Sequence, residues 1–422
     1  MKRKDLQLNL WDLVSSLAKT FDMMSPAVAD HCQRVAYLAL RLGEELNLPP
    51  GELRDIIVAG ALHDIGAFSL NERLDLLAFE ENRHTQHALA GYLLLKDVPL
   101  FSRSASLVRF HHLPWGQGAG AKENGKPVPR SSHILHLADR VAVSISSGPA
   151  VLGQVEGICE TVSRHSGDLF VPEYADAMLR IAKKDYVWLD IASQTMDTAL
   201  RKRLRNQTVE FGVDAMLALA RLICRVIDFK SEFTATHSSG VAATGVALAR
   251  LAGFSTRKRK MFEIAAYLHD LGKLAIPSEI LEKPGKLTAK EWQVMRTHVY
   301  YTYQILSPIK AFEEITLWGA LHQERLNGSG YPFQYTADDL PQGARMMAVA
   351  DVFTAVTEDR PYRKGMKRDA AIRELREMVV NGELDGSLVE LLIQNYDEIR
   401  RIRETSQAEA IEEYEKFRAA LA

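Results

Sequence analysis

Cysteine is scarce in this chain: Cys32, Cys159 and Cys224 are the only three in 422 residues, and they share no paired spacing. That excludes a disulfide framework or a zinc knuckle, and the three read as small buried hydrophobes in a reducing compartment. No stretch approaches the roughly 18 uninterrupted apolar residues that a spanning helix requires. The opening segment MKRKDLQLNLWDLV breaks its apolar run at Asp12, unlike a secretory signal. A net charge of −2 gives no field to draw in a long nucleic acid or an anionic membrane, so phosphates must be held by local groups. Glycine-rich phosphate loops, dinucleotide fingerprints and serine-nucleophile motifs are missing as well. These absences predict a cytoplasmic protein with neither long nucleic acid nor membrane as partner.

The chain has 47% hydrophobic and 25% charged residues, the balance of a globular protein, and its length predicts two domains. Windows such as HCQRVAYLALRLGEELNL and GVAATGVALARLAGF space apolar residues by three and four, the helical period. Strand-like alternation is scarce, and glycine and proline collect in a few loops, the longest from Pro114 to Pro129. The sequence therefore predicts an all-α protein with domains at 1–195 and 213–422, joined by a helical connector at 196–212. After Arg401 the chain is strongly charged, and a solvated or docking helix is expected there.

An internal repeat organises both halves. From His31 to His63 is 32 residues, as from His237 to His269, and an aspartate follows each second histidine, Asp64 and Asp270. From His87 to His111 is 24 residues, as from His298 to His322. Asp139 lies 28 residues beyond His111, and Asp351 lies 29 beyond His322. With His112, nine of the 13 histidines fall on this template. A lone histidine on an apolar helix is usually a satisfied core residue, but recurrence in one order and spacing points to ligands. Imidazole with carboxylate suits divalent transition ions. Adjacent helical residues point about 100° apart, so a His-Asp doublet lines two sides of a cavity, and its carboxylate can bridge two ions. The glycine that closes LHDIG and LHDLG would let the helix end beside the site.

The second half carries HDLGKLAIPSEILEKPGKLTAKEWQVMRTH, HQERLNGSGYP and ADVFTAVTEDRPYRK. In these motifs it resembles the HD-GYP domains of the HD phosphohydrolase superfamily over residues 210 to 400. The resemblance implies two tandem HD-type helical domains and hydrolysis of a cyclic dinucleotide, cyclic di-GMP or 3′,3′-cyclic GMP-AMP. It also implies two divalent ions per site, iron or manganese. By position, the implied ligands are His237, His269, Asp270, His298, His322 and Asp351. Asp270 and Lys273 carry the catalytic roles, and Lys273, Arg360, Arg363 and Tyr331 would bind phosphates and bases.

Gln323 replaces the family's second adjacent histidine and is counted as a weaker ligand, while Thr354 stands where an aspartate is common. Phe233 replaces a glutamate ligand of trinuclear members, which limits this half to two ions. In the first half the implied shell is complete: His31, His63, Asp64, His87, His111, His112 and Asp139. Its substrate elements are missing, since Ala67 replaces the lysine and neither a GYP loop nor the DRPYR arginines follow. A regulatory or structural role is expected for it. His84, His133, His136 and His165 lie off the template and read as surface residues or supports of the ligands. A homodimer is compatible with the sequence, and a cyclic-dinucleotide sensor that binds without cutting is the alternative reading.

Overall fold

The computed structural model describes residues 6–22, 29–68, 86–146, 150–193, 195–204, 208–230, 236–359 and 364–421. Helices dominate it, as predicted. Where the sequence suggested only loop between Pro114 and Pro129, a small antiparallel ladder pairs Lys122–Glu123 with Lys126–Pro127. The chain divides into two compact units, Asn9–Val209 and Glu210–Ala420, the second also taking in the strand residues 6–8. The helix Met196–Leu204, read from sequence as connector, buries Met196, Leu200 and Leu204 and packs within the first unit.

In the first unit, the helix His31–Glu45 packs on Pro50–Leu62 and on Arg130–Val143. Pro50 sits at the first helical position, where its missing N–H would have had no partner anyway. The second unit repeats the arrangement, with His237–Leu251 packed on Thr256–Leu268 and on Gln342–Thr357. Ser255 caps Thr256–Leu268 by accepting from Lys258 N. Thr288 and Glu291 form a capping box at the start of Ala289–Leu306, the helix that carries His298. Such caps are worth about 1 kcal/mol and fix where a helix begins. Three of the template positions recur at the same helical landmark in both units. The first histidine opens a helix, the His-Asp doublet follows the end of the next, and the last aspartate lies inside a third.

The doublet glycines work differently from the expectation. Neither Gly66 nor Gly272 has a positive φ. A Cβ on Gly272 would lie 1.9 Å from the His298 carbonyl oxygen, and one on Gly66 would lie 2.2 Å from that of His87. Only a glycine lets the doublet turn press against the backbone of the next histidine-bearing helix. Cys32 and Cys224 are buried as expected, whereas Cys159 is only partly covered. Among the described residues, no helix is long and apolar enough to cross a membrane.

Candidate metal centres

In the second unit the six histidine and aspartate positions converge, all of them buried. His269, Asp270 and His322 form one group that could hold an ion, and His237, His269 and Asp351 form another, so His269 belongs to both. The two oxygens of Asp270 face different partners. Oδ2 lies 3.1 Å from His269 Nε2, and Oδ1 lies 3.4 Å from His298 Nε2 and 3.9 Å from His322 Nε2.

Backbone carbonyls set the ring tautomers. His269, His298 and His322 each direct Nδ1 at the carbonyl three residues earlier, at 2.6, 2.5 and 2.7 Å. A carbonyl can only accept, so Nδ1 carries the proton and the Nε2 lone pair faces the cluster. Nε2 of His269 and of His298 are buried with no hydrogen-bond partner in the protein. A buried lone pair left this way is costly unless something else satisfies it, and a divalent cation does so. Burial lowers the His298 pKa to about 4 and the His322 pKa to about 3, which favours the neutral imidazole that a metal requires. Burial opposes ionisation of Asp270 too, but His269 and Lys273 outweigh it and hold the carboxyl well below its usual range. The residues fit the ions that the sequence implies.

Gln323, expected as a weaker ligand, donates its amide nitrogen to Asp351 Oδ2 at 3.2 Å and lines the same cleft. Thr354 is fully buried, and its Cγ2 would lie 2.9 Å from a Cβ on Gly240, so this position meets a helix and not the substrate side. Arg360 and Arg363 lie outside the described residues, as do Phe233 and His84.

A cleft of about 320 Å³ opens beside the cluster and is lined by Lys273, Lys283, Trp292, Tyr331 and histidine and aspartate side chains of the cluster. The GSGYP loop is stapled to its base by Glu324, which accepts from Phe333 N at 2.7 Å and Tyr335 N at 3.1 Å. Of the two loop glycines, Gly328 alone has a positive φ; a Cβ on Gly330 would instead lie 2.4 Å from the Glu324 Cα. Tyr331 faces the cleft with the Arg296 guanidinium 4.5 Å from its ring centre. Two residues went unmarked in the sequence. Trp292, 47% exposed, stands edge-on to Tyr331 with ring centres 6.3 Å apart. Glu358 is buried against His237 Nδ1 at 3.1 Å. Burial alone would lower the His237 pKa, but Glu358 and Asp351 outweigh it and raise it to about 10.

The first unit assembles its own pair of groups, Asp64 with His87, His111 and His112, and His31 with His63 and Asp64. Asp64 repeats the split of Asp270, with Oδ2 3.2 Å from His63 and Oδ1 3.6 Å from His87. His63 and His111 direct Nδ1 at carbonyls three residues back. The Nε2 atoms of His111 and His112 lie 3.3 and 2.8 Å from His87 Nε2, so three ring nitrogens converge beside Asp64. Arg140, 1% exposed, binds Asp139 at 2.7 Å and is too deep to meet a ligand from outside. Of the described off-template histidines, His133 and His136 are buried, the His136 ring 6.3 Å from that of His112, and His165 is partly covered.

Two family models, both described as the HD domain, match residues 28–144 and 221–388. The chain is a tandem HD-domain protein. Its second HD domain, with the GYP loop, is of the HD-GYP type. A 3′3′-cGAMP-specific phosphodiesterase 1 of Vibrio cholerae is 29% identical over 402 residues, covering 92% of each chain. The corresponding phosphodiesterase 3 of that organism is 27% identical and covers 87% of this chain and 90% of its own. A cyclic di-GMP phosphodiesterase of Pseudomonas aeruginosa is 37% identical over 196 residues, 46% of either chain. Among solved structures, a cyclic GMP-AMP phosphodiesterase of V. cholerae superposes with a TM-score of 0.63 at 21% identity, covering 93% of this chain and 98% of its own, which establishes a shared fold.

Proposed function

We propose that the second HD unit is a metal-dependent phosphodiesterase that opens a 3′,5′ linkage of a cyclic dinucleotide, with 3′3′-cGAMP the preferred substrate. The observation that carries the activity is Asp270, a buried carboxylate at the floor of a cleft with one oxygen on His269 and the other facing His298 and His322. Divalent ions held there, iron or manganese, would polarise the phosphoryl oxygens and acidify a bound water. His237, His269, His298, His322, Asp270 and Asp351 hold them. Lys273 places a fixed cation beside the phosphate, and Tyr331 and Trp292 offer the bases aromatic faces. The choice of substrate rests on the two V. cholerae relatives that match along both HD units and are described as specific for 3′3′-cGAMP. The cyclic di-GMP phosphodiesterase compared above matches less than half of the chain.

The first HD unit holds metal in a structural or regulatory capacity. Ala67 stands where the second unit has Lys273, and its Arg140 is buried on Asp139. The test is turnover of 3′3′-cGAMP and cyclic di-GMP by manganese- or iron-loaded protein beside Asp270→Ala. Loss of 3′3′-cGAMP turnover in the variant is expected. A tight complex of the wild type with unaltered nucleotide would instead favour a sensor, the reading that the histidine-to-glutamine change at Gln323 supports.

A further inference from the structure

The final helix, Tyr396–Leu421, reaches the second metal centre through a chain of side chains. Arg403 is 4% exposed and donates through Nη1 to Gln407 Oε1 at 2.8 Å. Gln407 Nε2 lies 3.3 Å from the carbonyl of Thr236, the residue before His237, and 3.4 Å from Glu358 Oε2. Glu358 in turn accepts from His237 Nδ1, its two oxygens at 3.1 and 3.2 Å. The path ends where His237 Nε2 meets Asp351 Oδ1 at 3.0 Å.

His237 needs this arrangement because of where it sits. The other three histidines of the cluster follow or lie within helices, and a carbonyl three residues earlier takes their Nδ1 proton. His237 opens its helix, and its ring turns to a carboxylate from a distant segment instead. A carboxylate partner fixes tautomer and orientation and also makes the ring more basic than a carbonyl does. The helix is bare where Gln407 passes, since a Cβ on Gly240 would lie 2.9 Å from Gln407 Nε2. The matching position of the first unit carries no carboxylate: Glu358 follows Asp351 by seven residues, and seven beyond Asp139 stands Ser146.

We propose that Glu358 is the positioning residue of His237, and that Gln407 and Arg403 hold it there, so that the final helix sets the metal affinity of the second centre. This rests on the reading of His237 as a metal ligand. The experiment is a calorimetric titration of manganese into full-length, chelator-stripped protein carrying Asp64→Ala to silence the first centre. Glu358→Ala should weaken binding by about 10- to 100-fold. Gln407→Ala, which leaves every ligand side chain and Glu358 itself in place, should weaken it in the same direction by less. Glu358→Gln, whose amide oxygen still accepts from Nδ1, should restore most of the affinity, with thermal unfolding of the stripped proteins unchanged throughout. Undiminished affinity in Glu358→Ala overturns the proposal, and undiminished affinity in Gln407→Ala removes the final helix from it. Should the Asp64→Ala parent itself take up no manganese, the ligand assignment fails instead, and the two failures are told apart.

Discussion

Lys273 Nζ rests 2.6 Å from Asp270 Oδ2, so the lysine three residues beyond Asp270 is held by the carboxylate that also faces His269, His298 and His322. The contact fixes the ammonium at the cleft floor, 18% exposed, where it meets an arriving phosphate without searching for it. Lys273→Ala should lower kcat by about 10²- to 10³-fold, the usual effect of removing one preorganised electrostatic group. Metal content measured on the same sample should stay normal. Equal loss of metal and of turnover would make the lysine a support of Asp270 only.

Trp292 is the second test. Stacking on an aromatic side chain is worth about 1–3 kcal/mol per base. Trp292→Ala should therefore raise KM for 3′3′-cGAMP by about 5- to 150-fold, with Trp292→Phe retaining most of the affinity. The thermal unfolding midpoint and the metal content of the variant should be unchanged. If either falls together with the affinity, the tryptophan acts on the fold and not on the nucleotide.

Metal counting separates the two units. Chelation should abolish turnover, and manganese should restore it. Asp64 belongs to both ion-holding groups of the first unit, so Asp64→Ala should remove metal from that unit while leaving turnover largely intact. A variant that lost all turnover would show that the first unit controls the second.

Gly272→Ala would force a Cβ to within 1.9 Å of a backbone oxygen that belongs to a packed helix. A helix backbone yields less readily than a side chain, and the expected cost is about 3 kcal/mol or more, at the upper end for single substitutions. Thermal unfolding measures it directly. An unchanged midpoint would mean that the doublet turn can shift, contrary to the packing described here.

The template residues were legible in the sequence because their spacing is set by whole helices. A histidine that opens one helix and a doublet that ends the next stay a fixed count apart, and 32 residues recur in both halves. Helical periodicity likewise announced the all-α fold. Glu358 was hidden because its meaning depends on Gln407, 49 residues later, and on a ring turned toward it, neither of which leaves a periodic trace. Trp292 lies inside a recognised motif, but only the folded helix shows that it faces the cleft. The doublet glycine was noticed and given the wrong cause, since sequence distinguishes poorly between a residue needed for its dihedral angles and one needed for its lack of a side chain.

Thr302 makes one more link in the second centre, donating to the His269 carbonyl at 3.1 Å and accepting from Gly272 N at 2.9 Å. The doublet turn and the helix bearing His298 are thereby clasped by a buried hydroxyl as well as by backbone contact. The cradle for the ions is thus built by the polypeptide itself, and loading it demands little ordering of the chain. Chelation should then leave the Gly272 amide among the slowest in the second unit to exchange with deuterium, opening only with the unit as a whole.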